Sequence, residues 1–176
     1  MNEIDFYLPK SLDRIIEERI KEREHLGDPL AEIFIHITGK VENDDVIGTN
    51  AYFTGYRLIS GGFSKKIPKQ VDNAISEDHK KGLKDVSYLH SHPGEPPCYI
   101  RLLGFCKPSL RRCLSEQDRH FSKNWNIVDG VVIHEGCKLI TLPDDLKYFI
   151  SLVYCEQGKK YIGNNINHDK INIIKS

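Results

Sequence analysis

Apolar residues Leu12, Ile15, Ile16 and Ile20 recur at helical spacing, and this stripe predicts a helix that stops at Gly27 and Pro29. Glu17 and Lys21 add an i,i+4 pair of opposite charge on its surface. The period then changes. Ala31, Ile33, Ile35 and Ile37 alternate, predicting a strand over Ala31–Thr38 with one apolar face. Gly39 and Asn43-Asp44-Asp45 read as turn chemistry, and Val46–Phe53 and Tyr56–Phe63 as further strands. Pro68 opens a second predicted helix, with Val71, Ala74 and Ile75 on one face, Lys80 and Lys81 in its last turn and Gly82 beyond it. A strand from about Asp85 to His90 follows, then a long connection, Pro93–Leu114, and a short third helix beginning at Ser115. Ile127–His134 and Lys138–Leu142 read as a strand pair turning at Glu135-Gly136. The β-branched and aromatic content of Leu146–Cys155 favours a strand, and Ile171–Ile174 an edge strand. Interleaved helices and strands predict one α/β domain over residues 1–176, a central mixed β-sheet flanked by helices.

Charge narrows the function classes. Lys and Arg number 25 and so do Asp and Glu, a formal net charge of zero. General binding to nucleic acid or to a membrane surface needs an excess of positive charge, so neither partner is expected. No charge-free stretch is long enough to span a bilayer, and Met1–Leu12 has early acids and no apolar core of a signal peptide. Five cysteines at irregular spacing suit a reducing compartment, so a cytoplasmic protein is expected.

The informative segment is His90-Ser91-His92-Pro93. Residues i and i+2 of a strand share a face, so two imidazoles can converge there on one metal ion, and Pro93 ends the strand just past them. Ser91 projects to the other face and reads as structural. Downstream, Ser115-Glu116-Gln117-Asp118 places a carboxylate one turn inside a helix, a candidate third ligand. Three protein ligands plus water make a catalytic zinc site, whereas four make a structural one. Taken singly, His-X-His is commonly a surface or core pair, and Ser-X-X-Asp is close to a capping box. Order and context change that balance.

An upstream Glu, then His-X-His-Pro, then Ser-X-X-Asp resembles the motif of the JAMM/MPN (JAB-type) zinc metalloproteases, matched here by Glu32, His90-Ser91-His92-Pro93 and Ser115-Glu116-Gln117-Asp118. Glu32 to Gly39 keeps the family's first-strand spacing, although Ile33-Phe34-Ile35 stand where a Cys-Gly is usual. His92 and Asp118 are twenty-six residues apart, longer than the family norm, so an insertion falls at about 94–114. The resemblance implies an MPN/JAB, cytidine-deaminase-like architecture. It implies one zinc per chain on His90, His92 and Asp118, Glu32 as general base, and Ser115 as a donor to the developing oxyanion. The implied reaction is hydrolysis of a peptide or isopeptide bond at the C-terminus of a ubiquitin-like protein or its conjugate, as in stand-alone prokaryotic deconjugating enzymes, with E1/E2-like partners.

Two rival classes remain. One is a catalytically inactive MPN-type interaction scaffold, which would typically lack a ligand position. The other is a different zinc amidohydrolase or deaminase. The deaminase Pro-Cys-X-X-Cys pair fails here at Arg101. Cys98, Cys106 and Cys113 match no common zinc spacing, and His25, His36, His79, His120, His134 and His168 read as structural or solvated. Within the insertion, Tyr99, Ile100, Leu102, Leu103, Phe105 and Leu110 are interleaved with Arg101, Lys107, Arg111 and Arg112, the composition of an apolar, basic flap over a protein substrate.

Overall fold

The alternating run that begins near Ala31 forms a long strand and continues past Gly39 into a hairpin. The structure, a computed structural model, describes residues 3–27, 30–57, 69–93, 127–128, 131–132, 146–164 and 171–175. Its elements are β1 (Ile4–Leu8), α1 (Leu12–His25), β2 (Glu32–Glu42), β3 (Asp45–Arg57), α2 (Lys69–Lys80), β4 (Lys84–His92), β5 (Ile127–Val128), β6 (Val131–Val132), β7 (Ile150–Cys155), β8 (Lys160–Asn164) and β9 (Ile171–Lys175). Short 3-10 turns at Leu146–Tyr148 and Glu156–Gly158 bracket β7. β5 and β6 pair antiparallel with each other, Ile127 opposite Val132; the predicted turn at Glu135-Gly136 and the partner strand Lys138–Leu142 lie outside the described residues.

The other strands form one sheet in the order β8-β7-β4-β2-β3-β1-β9. β1 pairs in parallel with both β3 and β9, β4 is parallel to β7, and the remaining pairs are antiparallel. The two ends of the sheet approach each other: a Cβ at Gly163 of β8 would lie 3.1 Å from the side chains of Ile171 and Ile173 on β9. This corrects the expected α/β architecture, a helix-flanked mixed sheet of the MPN/JAB, cytidine-deaminase-like kind. The fold is strand-dominated, a seven-stranded sheet that nearly closes into a barrel, with two α-helices among the described residues. Two strands that local periodicity does not reveal complete the sheet: β8 forms one end, and β1 joins β3 to β9 at the other.

Closure gives the sheet an inner face, and the core fills it. One apolar cluster draws on all seven strands and on α1. It includes Phe6, Leu12, Ile16, Ile33, Ile35, Ile37, Leu89, Ile150 and Leu152, each at most 1% exposed. Each such side chain contributes roughly 1.5–3 kcal/mol by leaving water. Alternation sends Phe34 and Tyr88 to the other face, where they join Phe149 in a second cluster. α2 ends as its composition predicts: Gly82, at φ 85°, donates to the His79 carbonyl, and Leu83 donates to the Asp78 carbonyl, a Schellman cap.

Gly39 is not a turn residue. The register shifts between Thr38 and Gly39, a bulge that lets β2 run on to Glu42, and the turn is made by Asn43 and Asp44 at φ 52° and 68°. A Cβ on Gly39 would sit 2.0 Å from the Ile47 carbonyl oxygen, so the hairpin strands could not keep their approach. Gly39→Ala is expected to lose about 3 kcal/mol or more in urea unfolding, whereas Gly158→Ala, whose added Cβ meets nothing closer than 3.8 Å, stays within about 0.5 kcal/mol of the parent.

Candidate active site

β4 lies between β2 and β7, so its last residues are held from both sides. His90 and His92 project to one face, and their Nε2 atoms are 3.1 Å apart. The rings are 5.0 Å apart, centre to centre, and inclined at 55°. Phe34, directly opposite His90 in the β2–β4 register, stacks on the His90 ring at 5.9 Å and 22°. Both histidines are half-buried. Two imidazole nitrogens on one tetrahedral zinc, at about 2.0–2.1 Å each, lie about 3.3–3.4 Å from one another. The pair therefore fits a shared ion with little movement, and neutral imidazole is a suitable donor for zinc.

Glu32 opens β2 and is half-buried. It stands two residues before Phe34, as His92 stands two residues after His90, so the antiparallel register carries Glu32 toward His92. The other two predicted site residues, Ser115 and Asp118, lie outside the described residues, as do the insertion at 94–114 and Cys98, Cys106, Cys113 and Cys137. Among the described residues no group of three or more His, Cys, Asp or Glu side chains is placed to hold a metal ion. Cys155, in register with His92, is 4% exposed and disulfide-bonded, a state that the irregular cysteine spacing did not predict.

The inner face of the same strand end carries polar groups that sequence reasoning missed. Ser91 donates its hydroxyl to Glu156 Oε1 at 2.8 Å and accepts the Ile33 backbone N–H at 3.0 Å. Arg23 of α1 meets both Glu156 oxygens, each at 2.6 Å, and also donates to the Ala31 carbonyl at 2.9 Å. Partners this remote in sequence leave no local signal. A hydrophilic residue on the buried face of α1, at Arg23, is the one hint in the chain.

Farther along β2 and β4, the face that carries His90 holds a second polar group. The Asp85 carboxylate contacts the Nε2 atoms of both His36 and His79, and His36 Nδ1 is buried without a partner. Asp78 of α2 accepts from Thr38, Asn50 at 2.9 Å and Tyr52 at 2.7 Å, which docks the helix on β2 and β3. Burial alone would raise the Asp78 pKa. The three donors outweigh it and hold the carboxyl below the ordinary carboxylate range.

No protein-family model matches the chain, and no curated protein matches it. Among solved structures, the solution structure of protein DSY2949 from Desulfitobacterium hafniense is similar at 14% identity, with 98% of this chain and 94% of that one covered and a TM-score of 0.48. That is too low to define a shared fold or function. Among the described residues no helix is long and apolar enough to cross a membrane.

A depressed folded-state pKa at Asp78 contributes stability above the unfolded value, near 3.9, and loses it as pH falls through the folded one. Asp78→Asn is therefore expected to lower unfolding free energy at pH 7 by about 1–3 kcal/mol, because an amide cannot accept from all three donors. The gap from the parent should narrow below pH 4. Urea unfolding of both proteins at pH 7 and pH 3 measures this, and an equal gap at the two values would contradict it.

Proposed function

We propose that this chain is a zinc-dependent hydrolase of peptide or isopeptide bonds, with His90, His92 and Asp118 holding the ion and Glu32 as general base. The observation that supports this reading best is the convergence of the two Nε2 atoms at 3.1 Å on the face toward which the register carries Glu32. The ordered resemblance to the JAMM motif adds Asp118 and Ser115. Zinc at this site would supply a Lewis acid and bring the pKa of bound water toward ~7.

The rest of the chemistry belongs to the side chains. Glu32 takes a proton from the attacking water and returns it to the departing amine. Ser115 donates to the oxygen on which negative charge develops. Phe34 stacks on the His90 ring and orients it. The proposed substrate is the extended C-terminal tail of a ubiquitin-like protein, or its conjugate with a lysine amine, supplied through E1/E2-like partners. The basic, apolar segment at 94–114 is its proposed contact.

Protein purified without chelator is expected to carry about one zinc per chain by elemental analysis, and His90→Ala or His92→Ala to carry almost none. Absence of metal from the parent, or unchanged metal in both variants, would overturn the reading. Glu32→Gln is expected to keep its zinc and its melting temperature while kcat on a ubiquitin-like fusion falls about 10²–10⁴-fold. Parent protein that holds zinc but cleaves neither fusion nor isopeptide substrate would point instead to an interaction scaffold.

A further inference from the structure

We propose that Arg23, Glu156 and Ser91 are positioning residues that lock Glu32 in place against the His90–His92 pair, an inference that rests on the zinc reading above. Their contacts surround the site residues from the inner side. Ala31 and Ile33 are the neighbours of Glu32, and each has a backbone group tied into the network: the Ala31 carbonyl by Arg23 at 2.9 Å and the Ile33 N–H by the Ser91 hydroxyl at 3.0 Å. Ser91 lies between the two histidines and is wholly buried. Its hydroxyl also donates to Glu156 Oε1 at 2.8 Å. Glu156 in turn is gripped by Arg23 through two contacts of 2.6 Å, with the two side chains only 5% and 11% exposed.

The geometry constrains the site in three ways. Ser91 couples β4 to β2 by a side chain at the point where Phe34↔His90 is the last pair of the regular register. Arg23 fixes the residue through which the chain enters β2, so Glu32 is held on both sides of its own Cα. Glu156, immediately after β7, extends the same network to the strand on the other side of the histidines. A shift of Ser91 along or about β4 would move His90 and His92 together. A shift of the Ala31–Ile33 backbone would move Glu32 relative to them.

Second-sphere partners of metal sites typically change metal affinity or activity about 10–100-fold when removed. The test uses Ser91→Ala and Ser91→Thr in the full chain. It reads zinc affinity by chelator competition, thermal unfolding of the metal-stripped protein, and the separate kcat and KM of the loaded enzyme. Ser91→Ala is expected to weaken zinc about tenfold and to lower kcat with KM little changed. Ser91→Thr, which keeps the hydroxyl, should recover both. Glu156→Gln should act in the same direction as Ser91→Ala.

If Ser91→Ala lowers only the melting temperature and leaves affinity and kcat at parent values, the network is scaffold alone and the proposal is wrong. Failure of Ser91→Thr to rescue would also overturn it. A parent that binds no zinc would instead remove the underlying reading, an outcome that metal analysis of the unmutated chain separates from the others.

Discussion

The buried pair of Arg23 and Glu156 is the interaction on which the arrangement around the site depends. Taking two charges out of water is costly, and their attraction offsets that cost only with good geometry and further hydrogen bonds. Both conditions hold here: two 2.6 Å contacts join the side chains, and Ser91 and the Ala31 carbonyl take up further capacity of each. Arg23 Nε is buried with no hydrogen-bond partner among the described residues, so the arrangement is not fully compensated. An apolar pair of similar volume would cost less in desolvation but would leave the Ala31 carbonyl without its donor. The charged pair is best understood through the geometry it imposes on three distant segments.

That geometry works because a strand has two faces. On β4, Leu89 joins the inner core and Ser91 the inner network, while Tyr88 joins the outer aromatic cluster and His90 stacks on Phe34 of that cluster. A one-residue slip would bury the histidines and expose the serine, so the apolar core that fixes register also fixes the chemistry. The near closure of the sheet strengthens this. With α1 and residues from all seven strands sharing one interior, β4 cannot change register without disturbing the packing of Leu89 against its neighbours.

What could be read from the sequence followed from whether the signal was local. Helices α1 and α2 and the apolar face of β2 follow from spacing within a few residues, and so does the placing of His90 and His92 on one face. β1 is five residues long and sits among the acids at the start of the chain; its apolar positions Ile4, Phe6 and Leu8 make sense only once β3 and β9 are beside it. β8 leaves little signal in the sequence because Lys160 and Gly163 dilute it, yet Tyr161 is in the core and reaches Asp13 on α1. Gly39 resembles a turn residue in the sequence because a bulge and a turn ask for the same residue. The sequence suggests a new strand starting at Tyr56, whereas β3 runs from Asp45 to Arg57 and passes through Gly55 at φ 155° without a break; the rest of the predicted strand, 58–63, lies outside the described residues. The contacts among Arg23, Ser91 and Glu156 leave no trace in the sequence for the same physical reason as the near closure of the sheet: 133 positions separate Arg23 from Glu156, and 65 separate Ser91 from it.

Strand ends are normally where a sheet opens most easily, because ladder bonds there have fewer neighbours. The end of β4 departs from that rule on both flanks. Toward β2, the Ser91 hydroxyl takes the Ile33 N–H; toward β7, Glu156 holds the same hydroxyl, and Cys155, the register partner of His92, is covalently tethered through its disulfide. The proposed site, with a general base on one strand and two ligands on another, would need its parts held to within about 0.5 Å. Fraying of either strand would exceed that. The concentration of side-chain and covalent restraint at the one strand end that carries His90 and His92 therefore fits a place where position, more than global stability, is at stake.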